Sequence, residues 1–432
     1  MSRQTATPKS VQRPVAVDLF SGAGGMSLGF EAAGFDVLAA IDSDPVHLAV
    51  HERNLPHAHA LCSDVLEVSK SDVHASVRKG WALAGRDGEW DGTIHCLIGG
   101  PSCQGFSDIG RQATDDRRND LIFEFARLVE EVQPRTFVME NVPGLLFPKV
   151  RHKLDKLQRQ FRDAGYTLQA GMPTLLDASE HGVPQKRRRV FIVGVADGLE
   201  TPALPPVQSG PTVSEALGDL PDVDSFESLL TSDELVLDAD QLAALTAAAS
   251  PYAMSLRGRQ GFAYLRKWDR SVLSGSQRTQ HSKKVQQRFA ALAPGDQDLQ
   301  TRTSRLDGTD YAKTLRAGTG RDHGSFTAPR PIHHVHARVV TVREAARLHS
   351  FPDWFSFHVT KWHALREIGN SVPPRLAQAV AATVVSSLGM APSSPRREVK
   401  LGDRSLLEMS LREAAEYYGY DLDKLPPDVR RR

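Results

Sequence analysis

The chain has 432 residues, 40% of them hydrophobic, enough to bury a large core and to make two domains with appendages. Three cysteines argue against a disulfide framework and for a reducing cytosol, and no apolar run is long enough to span a membrane. The net charge of +1 averages over a sharp partition: residues 196–250 carry eleven acids and no Lys or Arg, whereas 251–330 carry 15 Lys and Arg against 6 Asp and Glu, a surplus of +9.

Residues 1–14 form a polar tail without an apolar signal region. Val15 to Phe20 then reads as a buried strand running into Ser21-Gly22-Ala23-Gly24-Gly25-Met26, a Gly-rich turn that opens a helix and lets backbone approach a ligand closely. A dinucleotide fingerprint would need a third glycine where Ser27 stands. A second strand, Phe35 to Ile41, ends in Asp42-Ser43-Asp44, roughly 20 residues past the glycines, where an acid can hold the ribose hydroxyls of NAD or of S-adenosylmethionine. A third, Ala60 to Cys62, ends near Asp64-Val65, an acid placed to bond an adenine amino group. His47 and His51 have helical spacing, but Leu48 stands where a zinc hydrolase motif needs glutamate.

The run Ile94 to Ile98 opens into Gly100-Pro101-Ser102-Cys103-Gln104-Gly105-Phe106-Ser107, where an α/β enzyme presents a nucleophile. Cys62 and Cys96 sit among core residues and read as small hydrophobes; Cys103 does not. Gly105 to Asn119, with Arg111, Arg117 and Arg118, reads as a mobile lid over the cleft. The next strand, Thr136 to Met139, ends in Glu140-Asn141-Val142, a carboxylate level with Cys103. Gln185-Lys186-Arg187-Arg188-Arg189 precedes the strand Val190 to Val195, and alternation puts Arg187 and Arg189 on one face. Gly194 to Pro206 reads as a domain boundary. The basic stretch beyond it, with Arg257, Arg259, Arg266, Lys267, Lys283, Lys284, Arg302, Arg305, Arg316 and Arg321 among Gly, Ser, Thr and Gln, reads as a DNA surface. The acidic stretch reads as packing or solubility. His333, His334 and His336 lack companions in ligand spacing, so no metal is expected. After Pro392-Ser393-Ser394-Pro395 comes a linker and a short helix near Ser410 to Tyr418.

Taken together, these segments resemble the DNA (cytosine-5-) methyltransferases of the prokaryotic modification type. The resemblance holds several motifs in order over residues 14 to 390: Phe20 with Gly22 to Gly29; Asp42 and Asp64; Pro101 to Gln104; Glu140 to Val142; Gln185, Arg187 and Arg189; Arg343 to Pro352; and Gly369 to Pro374. Two positions depart from the family pattern. Asp42 stands for the usual glutamate, and Ser102 for the usual proline. The implied fold is α/β, a doubly wound mixed sheet of the S-adenosylmethionine-dependent type. It divides into a catalytic and cofactor domain over 15–200, a smaller target-recognition domain over 201–335, a return over 336–390 and an extension over 391–432.

The resemblance also implies chemistry. Cytosine carbon 5 cannot attack a sulfonium methyl unaided, so the Cys103 thiolate adds to carbon 6 while Glu140 protonates or hydrogen-bonds ring nitrogen 3. Carbon 5 then takes the methyl, a base removes its proton, and elimination of Cys103 restores aromaticity. A free thiol with pKa of about 8.5 needs nearby positive charge to ionise. Arg189 holds the cytosine carbonyl, and Arg187 braces it or a phosphate. The target base must be flipped out of the stack. Phe20, Gly22, Gly24, Gly25, Asp42, Ser43, Asp64, Val65, Pro101, Leu121, Asn370 and Val372 are expected to hold S-adenosylmethionine. Gln104, Ser107, Arg111, Arg257, Arg259, Lys283, Lys284, Arg302, Arg305, Arg316 and Arg321 are expected to meet double-stranded DNA. The expected protein is a cytoplasmic prokaryotic monomer, with a restriction endonuclease as genetic partner. A tRNA methyltransferase would share the catalytic set but have little between Val195 and His336. A silent DNA-binding regulator would have lost Cys103, Glu140 or the cofactor glycines, and an NAD-dependent oxidoreductase would explain only the first Gly-rich loop.

Overall fold

The computed structural model describes residues 13–101, 121–258, 263–318, 330–395 and 397–425. Its first half alternates strand and helix: β1 Val15–Leu19, α1 Gly25–Ala33, β2 Asp36–Asp42, α2 Pro45–Asn54, β3 His59–Cys62, α3 Lys70–Leu83, β4 Cys96–Gly99, α4 Leu121–Val132, β5 Thr136–Asn141, α5 Arg151–Asp163, then β6 Tyr166–Leu168, β7 Thr174–Asp177, β8 Gln185–Lys186 and β9 Arg188–Ala196. The main sheet runs β3-β2-β1-β4-β5-β9-β6, with β7 also on β9. The pairs from β3 to β5 are parallel, and β9 is antiparallel to β5, β6 and β7, so the sheet is mixed.

Alternation along the strands builds two faces. Val15, Val17, Leu19, Leu97, Phe137 and Met139 pack with α3, α4 and α5, whereas Ala16, Cys96, Ile98 and Val138 pack with α1 and the helix Pro374–Ser387. That last helix returns from far along the chain to cover α1. Gly29 is what lets it close: a Cβ there would sit 2.4 Å from the Ala377 Cβ. The strand order reverses between β1 and β4, and a crevice opens at the carboxyl ends of strands beside such a switch point. Here those ends are Leu19 and Gly99, directly paired.

A second core straddles the boundary expected near residue 335. The helices Val213–Leu217 and Pro251–Arg257 contribute Val213, Leu217, Tyr252 and Leu256 to it, together with Ala345, Phe351, Phe355 and Ile368. Under it lies a buried ionic cluster in which Arg347 bonds Asp219 and Asp353, with Arg257 and Arg343 beside Asp353. A small separate core of Val223, Leu229, Leu235, Leu237, Leu245 and Leu273 organises the intervening stretch. The C-terminal segment docks back: Glu398–Lys400 pairs in parallel with Leu265–Lys267, and the Tyr417 and Tyr418 hydroxyls both donate to Glu52 on α2. Among the described residues no helix is long and apolar enough to cross a membrane.

Candidate active site

The loop from β1 to α1 is shaped by backbone that only glycine adopts easily. Gly22 and Gly24 have φ of 51° and 98°, and Phe20 itself is left-handed at 58°. The Asp42 carboxylate fixes the loop, accepting the Gly22 N–H and the Asp44 N–H at 2.8 Å each. Gly25 must lack a side chain because its Cβ would meet the Val372 carbonyl at 2.5 Å. Gly24 precedes α1, and no described side chain caps that helix, so its first N–H groups are left without a side-chain acceptor.

A small cavity of about 40 Å³ lies there. Of the residues expected to bind the cofactor, Phe20, Gly22, Gly25, Asn370 and Val372 line it. Asp42, Ser43, Asp64, Val65 and Leu121 lie outside its wall, at the ends of β2 and β3 and the start of α4; Asp64 caps the turn that follows it by accepting the Leu66 N–H. Three further charged or titratable residues line it: Asp18 and Glu367, which the sequence did not single out, and His47, which it offered only as half of a rejected zinc pair. Asp18 is buried and accepts the Ser27 hydroxyl at 2.5 Å; burial pushes its carboxyl up to about 7. Glu367 is buried on the helix Lys361–Asn370, and burial, with Asp44 adding to it, pushes its carboxyl up to about 8. Glu367 carried a signal in that it lies four residues before Ser371, on the face of a helix that ends in the Gly369 to Pro374 motif.

Beside the cavity, β5 delivers Glu140 at its end. The side chain is buried, and the Arg189 Nε sits 2.8 Å from Oε1. Burial raises the carboxyl above its ordinary range, with Arg189 and then Arg187 opposing. Gly100 passes so close that a Cβ on it would lie 2.8 Å from the Glu140 Oε2. The Asn141 amide donates to the Pro101 carbonyl at 3.2 Å, which pins the start of the next loop to β5. Cys103, Gln104, Ser107, Arg111, Arg259 and Arg321 lie outside the described residues.

The two arginines expected to act together divide their work. Arg187 is fully buried and donates to the carbonyls of Leu315, Gly369 and Ser371, so it braces the wall. Gln185 does the same, accepting the Leu315 N–H and donating to the Leu348 carbonyl. Of the two arginines, it is Arg189 that reaches Glu140 directly.

Two of the cations read as DNA contacts are turned inward. Arg257 is buried because its helix ends against Asp353, and it pairs with that carboxylate and the Arg270 carbonyl. Arg305 is half-buried, its guanidinium spent on the carbonyls of Ala290, Leu292, His334 and Val335. Arg266, in the same basic stretch, is buried against Glu31. Lys283, Lys284, Arg302 and Arg316 are exposed. Cys62 and Cys96 are buried, and burial raises both thiols, Cys96 up to about 12, as suits core residues.

This geometry agrees with comparisons to known proteins. The model of the C-5 cytosine-specific DNA methylase family matches residues 15–386, and the chain belongs to that family. It is similar to the type II methyltransferase M.XorII of Xanthomonas oryzae pv. oryzae, 44% identical over 411 residues that cover 94% of this chain and 93% of the relative. It is similar also to M1.HphI of Haemophilus parahaemolyticus, 30% identical over 85% of this chain and 86% of the relative. Among solved structures, one described as a DNA modification methyltransferase encoded within an E. coli prophage superposes with a TM-score of 0.68 at 33% identity, covering 87% of this chain and 99% of that one. The S. pombe Dnmt2 methyltransferase, 16% identical over 88% of this chain and 100% of its own, shares the fold with a TM-score of 0.51. The protein is a DNA cytosine methyltransferase with an α/β mixed sheet.

Proposed function

We propose that this enzyme methylates carbon 5 of cytosine within one duplex DNA sequence, through a covalent Cys103 adduct on a flipped-out base, as the modification half of a bacterial restriction-modification pair. The observation that carries the reading is the buried Glu140 held by Arg189 at the mouth of the crevice. Burial favours the protonated carboxyl, which is the form that can give a proton or a hydrogen bond to ring nitrogen 3. Arg189 keeps that carboxyl oriented and offers its remaining N–H groups to the cytosine carbonyl. Cys103 follows Pro101 by two residues, about 7 Å of chain at full extension, and Pro101 is itself tied to Asn141 beside Glu140, which supports a shared role for the two side chains.

S-adenosylmethionine supplies an electrophilic methyl group when bound. The residues present fit it: the N-terminus of α1 suits its α-carboxylate, the Asp42 carboxylate suits ribose hydroxyls, and Asp64 suits the adenine amino group. Residues 201–335 are read as the part that finds the target, with Lys283, Lys284, Arg302 and Arg316 in contact with DNA. Their positive side chains stand exposed over a stretch too long and basic to be a simple connection, which favours DNA over tRNA. A cytoplasmic monomer is the simplest arrangement for this work.

The test is a duplex whose target cytosine carries fluorine at carbon 5, the target having been located by bisulfite sequencing of plasmid from expressing cells. Fluorine cannot leave as a cation, so the final elimination fails and the adduct persists. A denaturant-stable complex that forms only with S-adenosylmethionine and maps to the Cys103 peptide is expected. An adduct on Cys62 or Cys96, or none from an enzyme active on ordinary DNA, overturns the mechanism.

A further inference from the structure

Among the described residues, the cavity beside α1 has two carboxyl side chains in its wall, Asp18 and Glu367, and neither Lys nor Arg. Its one imidazole, His47, is already engaged, its Nδ1 lying 3.3 Å from Asp44. Glu367 is 1% exposed, and its two oxygens are treated unequally. Oε2 accepts the His358 N–H at 3.2 Å, whereas Oε1 is buried with no hydrogen-bond partner among the described residues. Leaving a carboxyl oxygen without a donor in an enclosed site is unfavourable unless a ligand supplies one. The position is fixed rather than adaptable: the Ser371 hydroxyl and N–H both donate to the Glu367 carbonyl, at 2.6 and 3.1 Å, and so tie that helical turn to the Asn370 to Val372 wall.

A cavity with acids on one part of its wall and uncapped helix N–H groups on another matches a zwitterion. The amino-acid end of S-adenosylmethionine is one, and its α-ammonium carries three N–H donors. We infer that Glu367 accepts a hydrogen bond from that α-ammonium through Oε1, with Asp18 as the companion acceptor, and that this pair makes the enzyme require an amino-acid tail on its methyl donor. The raised carboxyls agree with this: among the groups around Glu367, Arg366 and the His358 N–H favour the anion, and Asp44 opposes it. An arriving ammonium supplies the charge that ionises the acid.

The inference rests on the methyl-donor reading above and is tested apart from catalysis. Titration calorimetry of the full chain compares S-adenosylhomocysteine, which keeps the ammonium, with its desamino analogue, which lacks only that group. Glu367→Gln is expected to weaken S-adenosylhomocysteine roughly tenfold, in the range for one lost charge-assisted bond, while the desamino compound binds within about twofold of its wild-type affinity. Asp18→Asn repeats the comparison from β1, so that a failure of one variant to fold leaves the other to decide. If both ligands weaken equally in the folded variant, or neither does, the inference is wrong and the methyl-donor reading stands. If the wild-type chain binds neither ligand, both fall.

Discussion

Replacing Glu367 by glutamine should make the ligand-free protein more stable in alkali than in acid, relative to wild type. The folded-state carboxyl, raised to about 8, lies above the ordinary value of 4.5, so ionising it in place opposes folding. Below pH 4.5 both states hold the proton and the opposition vanishes. As pH rises towards 8 the unfolded chain releases a proton that the folded chain keeps, and stability falls. Above 8 the loss is complete and constant. At 1.36 kcal/mol per pKa unit, the wild-type penalty is about 1 kcal/mol at pH 5 and about 4 kcal/mol at pH 8, an upper bound because water entry and relaxation relieve part of it. Glutamine is neutral throughout and shows no such slope. Urea unfolding of both proteins at pH 5, 6.5 and 8 measures the difference, and the slope with pH matters rather than any fixed offset from the new amide. A difference that stays flat across that range would refute the claim that Glu367 is a buried neutral acid.

Three further perturbations test other parts of the molecule. Gly100→Ala puts a Cβ 2.8 Å from the Glu140 Oε2, so turnover should fall by about a hundredfold, the scale of a misplaced catalytic group, while S-adenosylhomocysteine affinity measured by calorimetry stays within a few-fold. Arg347→Leu leaves Asp219 and Asp353 facing each other around a lost cation and should cost roughly 3–5 kcal/mol in urea unfolding. Changing both Lys283 and Lys284 to Ala should lower the salt slope of DNA binding by about 2 without altering the methylated sequence, whereas Arg257→Ala should change stability and not that slope.

The strands of the catalytic sheet were legible because their burial on both faces writes itself as short continuous apolar runs, and the Gly-rich turn because left-handed backbone selects glycine at Gly22 and Gly24. Glu140 was legible as an acid at a strand end. What could not be read was the direction of each guanidinium. Arg257, Arg305 and Arg266 count as positive charge in the sequence, yet each is answered by a carboxylate or carbonyls brought in by distant segments. The acidic stretch was read as packing or solubility; three of its acids meet arginines from distant segments, Asp219 with Arg347, Asp224 with Arg338 and Glu234 with Arg404. Glu367 and Asp18 escaped because an acid on a helix or strand is ordinary until the fold shows that it faces a cavity.

Arg187 has a consequence for how this enzyme is made. Its guanidinium bonds carbonyls 128, 182 and 184 residues further along the chain, so the wall behind Glu140 exists only after residues 315–371 have come home. An emerging chain that has completed β1 to β9 holds Glu140 and Arg189 but has no brace and no cover on α1. Methylation therefore waits on the synthesis of residues 315–371, and a protein cut in the exposed stretch after β9 should regain activity only when both fragments are present together.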